Sequence, residues 1–173
     1  MGDPKKSRKK FSTPKNPWQS DQLSRELHLM GTFGLRNKRE LWRTETELSR
    51  IRKQARELLA QPVEERMGAE TKLLKSLSRK GIIGEAATLD DILGLTVENL
   101  LDRRLQSMVK NKGLAPTIHK ARQIVTHGHI KVRDRVITIP GYLVMNEEEP
   151  TVRVREGSRI AAAATAQPEA PAQ

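Results

Sequence analysis

The chain has no cysteine, which excludes disulfides, thiolate zinc sites and cysteine nucleophiles together. Aromatic residues number only two Phe, two Trp and one Tyr. That is too few for a surface that holds single strands by stacking base after base. Long apolar runs are missing, and the basic N-terminus has no apolar core after it. Neither a transmembrane helix nor a signal peptide is therefore expected, no membrane partner either, and the location should be cytoplasmic. No phosphate-cradling glycine loop occurs, no nucleophile sits beside a base, and no carboxylates pair in a pocket-forming pattern. An enzyme is not expected, nor a cofactor, nor a small-molecule substrate.

What is abundant is positive charge. The 173 residues hold 32 Lys and Arg against 21 Asp and Glu, a formal charge of +11. An excess of this size favours a polyanionic partner, because each cation set against a phosphate releases condensed counterions. Residues 1–20 carry a net +5, 21–60 a net +3, 61–100 a net −2, 101–135 a net +7 and 136–173 a net −2. A surface selected only for solubility mixes its signs more evenly. Two basic blocks separated by a near-neutral segment read as two contact regions on one large partner. Length and apolar content allow one domain, or two small ones with tails.

Four segments follow along the chain. Residues 1–19 are a basic arm without apolar period, extended when free. Residues 20–95 read as helical. A short helix over 20–31 has Ser20 as its cap, Leu23, Leu27 and Met30 on one face, and Gly31 as its stop. A long helix follows Asn37 to about Ala60, with Leu41, Leu48, Ile51, Ala55, Leu58 and Leu59 as its stripe. Another starts at Pro62 and stops at Gly81, and Thr88 caps a short turn. Residues 96–157 form a second unit. Here the pattern predicts one helix over 96–112 ending at Gly113, and a second from the Thr117 cap to His127, ended by Gly128. Only a few residues join the two, so they should be antiparallel neighbours. The period then becomes alternating. Ile130 to Val132 and Val136 to Ile139 read as strands around Arg133-Asp134-Arg135, with Tyr142 to Met145 and Val152 to Val154 as further short strands. Residues 158–173 are an Ala/Pro-rich tail without pattern. The fold class expected is α+β: a mostly helical N-terminal part, then two antiparallel helices packed on a short, mostly antiparallel sheet.

A basic helical surface suits structured RNA. The major groove of an RNA duplex is too narrow for side chains, so shape and phosphates are what such a surface can read. The candidate contacts fall into three groups. Lys5, Lys6, Arg8, Lys9 and Lys10 form an arm. Arg36, Lys38, Arg39 and Arg43 form a wall at a helix start, where the dipole disfavours cations and a nearby anion would relieve the cost. Arg103, Arg104, Lys110, Lys112, Thr117, Lys120, Arg122, Gln123, His127, His129, Lys131, Arg133 and Arg135 form a fixed docking surface. His119, His127 and His129 have no carboxylate placed with them, so no metal site is expected, and Glu147-Glu148-Glu149 reads as a solvated loop.

Arg104-Leu105, Ala121-Arg122-Gln123, His127-Gly128-His129-Ile130, Val132, Val136 and Pro140-Gly141-Tyr142 together resemble the RNA-binding domain named after small-subunit ribosomal protein S-four. That domain is also found in tyrosyl-tRNA synthetases and pseudouridine synthases, but a catalytic partner domain has no room here. Gly34-Leu35-Arg36-Asn37-Lys38-Arg39-Glu40-Leu41-Trp42 and Leu89-Asp90-Asp91-Ile92-Leu93 resemble the S-four ribosomal family itself, in its archaeal form. The similarity covers roughly residues 4–155.

The resemblance implies a structural constituent of the small subunit. Such a protein is a primary binder of small-subunit ribosomal RNA, at a helix junction of the 5′ domain. It nucleates subunit assembly and lies where messenger RNA enters, supporting translational accuracy. It touches messenger RNA transiently and has two neighbouring ribosomal proteins there. The alternative is a non-ribosomal RNA-binding factor of small-subunit maturation. One departure stands out. Many relatives place Asn-Gly in the hairpin, where both central residues need positive φ, and this chain has Arg133-Asp134.

Overall fold

The computed structural model describes residues 2, 9–84 and 86–158. Lys5, Lys6 and Arg8 of the arm lie outside the described residues, as does the tail beyond Ser158. The elements run α1 (Ser20–Thr32), α2 (Lys38–Leu59), α3 (Val63–Arg79), α4 (Leu89–Gly94), α5 (Val97–Asp102), α6 (Leu105–Asn111), α7 (Ile118–Thr126), β1 (Ile130–Val132), β2 (Arg135–Val136) and β3 (Arg153–Val154), with a 3-10 turn at Glu149–Thr151 before β3. The class is α+β, and the sheet is antiparallel with order β2-β1-β3.

Local signals set most of the helices. Asn37 caps α2 by accepting the Glu40 N–H at 3.2 Å, and Thr117 caps α7 by accepting the Lys120 N–H at 3.2 Å. Thr88 and Thr96 each begin a short helix with a reciprocal box, closed by Asp91 and Asn99. Such caps satisfy backbone donors that a helix start leaves without partners. The stripe of α2 is buried at Leu41, Leu48, Ile51 and Ala55. Leu48, Ile51 and Ala55 pack with Leu77 of α3, Leu89 and Ile92 of α4, and Leu100 of α5.

A second core joins Leu105, Met108 and Val109 of α6 to Ala121, Ile124 and Val125 of α7, with Ile130 and Val132 of β1 and Val144 beneath them. Between the cores, Leu35, Leu41 and Leu101 form a third cluster; Leu41 and Leu101 have no exposed surface.

Several elements depart from the expectation. The single helix over 96–112 is two helices, broken at Arg103-Arg104, where Arg104 is extended (φ −72°, ψ 144°). A distant segment claims the backbone there. The Leu105 N–H donates to Tyr142 O at 2.8 Å, the Val144 N–H donates to Arg103 O at 3.0 Å, and Arg104 bridges Leu143. Residues 142–145 therefore make one bridge rather than a strand, and Val152 closes the 3-10 turn instead of entering β3.

Helix α1 begins at Ser20 with Gln19 before it, so Ser20 is not its cap, and it runs through Gly31 to Thr32. Leu27 is exposed, and the residue buried on α1 is Glu26. The left-handed turn comes at Gly34 (φ +58°), where a Cβ would also lie 2.7 Å from Gln106 Nε2. Only glycine meets both demands.

Candidate nucleic-acid interface

The site is built around a seam that fastens α2 to α6 and α7. Glu40, in the first turn of α2, accepts from Arg104 Nη2 at 2.6 Å and from Arg122 Nη2 at 2.7 Å. Arg122 Nη1 also reaches Gln106 Oε1 at 3.2 Å and Gly34 O at 3.4 Å. Gln106 Nε2 donates to Gly34 O at 3.0 Å and to Ile118 O at 3.1 Å. Burial pushes the Glu40 carboxyl up. The hydrogen bonds from Arg122 and Arg104, with their charges, outweigh that and hold it below the ordinary 4.5.

A second cation is held in the same way. Arg103 Nη1 meets Glu149 Oε2 at 2.7 Å, its Nε donates to Lys80 O at 3.2 Å and its Nη2 to Val144 O at 3.0 Å. Its guanidinium lies over Gly81, whose absent side chain makes the space: a Cβ there would fall 2.5 Å from Arg103 Cζ.

These placements correct the expectation for Arg103 and Arg104 as phosphate clamps. Arg104 is 5% exposed, and the Arg103 side chain 13%. Their charges are consumed by carboxylates and carbonyls. Arg122 is only partly accessible and shares Glu40. Lys112 donates to the Glu149 carbonyl, and Lys38 is paired with Glu26 at 2.8 Å. The break between α5 and α6 is what turns Arg103 and Arg104 inward.

Of the remaining candidates among the described residues, all but His129 and Lys131 are exposed. Arg36 precedes the α2 cap, and Arg39 and Arg43 sit one turn apart on α2; all three are exposed. On α7, Lys120 and Gln123 are exposed, with Lys120 Nζ donating to Gln123 Oε1 at 3.2 Å. Thr117 and Lys110 are exposed as well. Because Glu40 is held by Arg104 at the start of α6 and by Arg122 of α7, the cations at the start of α2 and those of α7 are tied together through one carboxylate.

The hairpin carries exposed Arg133 and Arg135, with Lys131 half-buried on β1. The register pairs Val132 with Arg135, so the turn is Arg133-Asp134, and its left-handed residue is Arg133 at φ +53°. Arg133 also pairs with Glu147 at 3.2 Å, both side chains being at least half exposed. Such surface pairs contribute little. His127 is exposed, with its ring centroid 6.3 Å from that of His129. Ser158 Oγ and His129 Nδ1 are 2.9 Å apart.

The arm is fixed where it is described. Phe11 stacks on Trp42 at 6.1 Å, Lys9 Nζ lies 4.9 Å from the Phe11 ring, and the Ser12 N–H donates to Thr46 Oγ1 at 2.9 Å. Trp42 Nε1 in turn donates to Glu26 at 3.0 Å. Lys9 and Lys10 stay exposed.

Sequence reasoning missed Glu40, Gln106 and Glu149. Glu40 lies three residues after Asn37, the spacing of a capping box, so its local signal points to a helix end rather than to arginines far along the chain. Among the described residues no group of His, Asp and Glu is arranged to hold a metal ion, and no helix is long and apolar enough to cross a membrane.

Comparison with known proteins gives consistent matches. Residues 4–102 match the family described as ribosomal protein S4/S9 N-terminal domain, and residues 103–149 match the S4 domain. The two segments meet where α5 ends. The chain is 54% identical over 152 residues to the small ribosomal subunit protein uS4 of Ignicoccus hospitalis, covering 88% of this chain and 92% of that one. It is 55% identical over 152 residues to the uS4 of Hyperthermus butylicus, covering 88% and 86%. With the uS4 of Thermoplasma acidophilum it shares 47% over 164 residues, covering 93% and 82%.

Proposed function

The chain belongs to the uS4 family of small ribosomal subunit proteins, and on that premise we propose that it docks on small-subunit ribosomal RNA through two basic walls held in fixed relation. As a ribosomal protein it is a structural component and not an enzyme. The RNA is engaged at a helix junction of the 5′ domain. Early binding there nucleates subunit assembly, and the bound protein lies where messenger RNA enters, beside two neighbouring ribosomal proteins. It meets messenger RNA transiently and supports translational accuracy, in the cytoplasm.

The contacts proposed are Lys9, Lys10, Arg36, Arg39, Arg43, Lys110, Thr117, Lys120, Gln123, His127, Lys131, Arg133 and Arg135, with Lys5, Lys6 and Arg8 extending the arm. Residues 20–95 supply one wall and residues 96–157 the other. The observation that carries this reading is the Glu40 cluster. It spends two arginines to hold the exposed cations of α2 against those of α7, and a preset spacing between phosphate contacts is what recognition of RNA by shape requires.

The test is equilibrium binding of the full chain to a transcribed 5′-domain fragment across a salt series. With about six phosphates neutralised, log affinity should fall against log salt with a slope of roughly −4 to −6. A slope near −1 overturns the two-wall reading. Sedimentation of cell extract separates the alternative: one copy in each mature small subunit supports the ribosomal role, whereas presence only in precursor particles assigns the chain to maturation.

A further inference from the structure

The five aromatic side chains of this chain are not used alike. Phe11 and Trp42 stack on each other, Phe33 packs on the Leu35–Leu41–Leu101 cluster, and the Tyr142 hydroxyl donates to Glu148 at 2.8 Å. Trp18 is 87% exposed and has no ring partner among the described residues. Its indole is nonetheless carried on a constrained mount. Pro17 fixes the backbone before it, and the Gln19 N–H closes a turn back to Asn16 O at 3.4 Å. Helix α1 starts at Ser20. Upstream, Phe11 and Ser12 fasten the arm to α2. The segment that carries it is cationic: exposed Lys9, Lys10 and Lys15 precede it along the chain.

We propose that Trp18 is the stacking platform for one unpaired nucleobase of the bound RNA, set at the foot of the basic arm. The inference rests on the RNA-binding reading above and adds to it a contact of a different chemistry. With the backbone beneath it already turned and joined to α1, the ordering cost of binding is limited to the indole's own two torsions. Stacking accepts any base, because every base offers a π-face. The lysines that precede Trp18 favour a polyanion over an apolar protein surface. The electrostatic walls read backbone; Trp18 reads an unstacked base, the kind of feature a helix junction exposes.

The experiment compares the full chain with Trp18→Leu and Trp18→Phe, titrated with the transcribed 5′-domain fragment while tryptophan emission is followed. Wild type should lose emission on binding, and Trp18→Leu, which retains only Trp42, should lose much less. Affinity of Trp18→Leu should fall on the order of tenfold or more, with the salt slope unchanged because no phosphate contact is lost. Trp18→Phe should recover most of it. The melting temperature of both variants should equal that of wild type, since the ring supports nothing in the fold. Equal affinity of wild type and Trp18→Leu overturns the proposal, and so does a loss accompanied by a shallower slope or a lower melting temperature. If wild type shows no saturable binding to the fragment, the underlying reading fails, and this inference with it.

Discussion

The seam between the two cores and the outer basic face are built from the same residue types and put them to opposite use. At the seam, Arg104 and Arg122 converge on Glu40, and Arg103 on Glu149. On the outer face, Arg36, Arg39, Arg43 and Lys120 are exposed. The seam arginines have exchanged water for carboxylates, an exchange whose desolvation cost roughly cancels its Coulomb gain. What the exchange secures is geometry: it fixes where the outer cations stand. A high arginine count in a nucleic-acid-binding chain therefore overstates the number of phosphate contacts, because part of the charge builds the frame.

The largest effect should come from breaking the seam. Glu40→Ala leaves Arg104 buried without its carboxylate, and loss of one partner of a buried pair costs about 3–5 kcal/mol. Urea unfolding should show that loss before any RNA is added. Arg104 Nη1 already lacks a hydrogen-bond partner, so the guanidinium has no second acceptor to fall back on. The same residue sets an acid limit. The folded state holds the Glu40 carboxyl below its ordinary 4.5, so its contribution is complete above that pH and is lost as pH falls through the lower folded value. Glu26, held down against its own burial by Lys38, Trp42 and Gln22, adds to the loss in the same direction. A pH series of unfolding midpoints should fall below pH 4.5 in wild type and fall less in Glu40→Gln. A Glu40→Ala protein as stable as wild type would erase the distinction between seam and face.

The converse holds for the outer wall. Arg36→Ala, Arg39→Ala and Arg43→Ala combined should leave the unfolding midpoint nearly unmoved, since exposed substitutions are worth about 0.5 kcal/mol or less each. RNA affinity should drop, and the log-log salt slope should become shallower by roughly two to three. Arg103→Ala should do the reverse, lowering stability with little change in slope. A triple variant with an unchanged slope would remove the α2 wall from the interface.

How far the sequence reveals this division depends on distance along the chain. The caps at Asn37, Thr88 and Thr117 are legible because donor and acceptor lie three residues apart. The buried stripe of α2 and the core faces of α6 and α7 follow from helical period alone. The break at Arg103-Arg104 is not legible, because residues 142–144 impose it. Nor are the partners of Arg104 and Arg122, since Glu40 lies 64 and 82 positions away. Local pattern sees a cation between helical residues and reads an outward-facing contact for phosphate. Leu27 misled by the same logic: it fits the apolar period of α1, yet the neighbouring helix offers Lys38 and Trp42, and the inward position goes to Glu26.

The hairpin gives the smallest and sharpest version of the comparison. Arg133 occupies φ +53°, a conformation that costs a non-glycine residue about 1 kcal/mol or more and that asparagine tolerates better. Its side chain is half exposed, and its pairs with Glu147 and Glu148, at 3.2 and 3.9 Å, contribute little. Its backbone N–H, which donates to Thr151 Oγ1 at 3.0 Å, survives substitution. Arg133→Asn should therefore raise the unfolding free energy slightly, by about 0.5 kcal/mol, while RNA affinity falls and the salt slope becomes shallower by about one. A gain in stability with a loss in binding would place Arg133 with the outer face, where backbone strain is tolerated to present a guanidinium to phosphate. A fall in stability would place it with the seam, as a residue whose acidic neighbours need it.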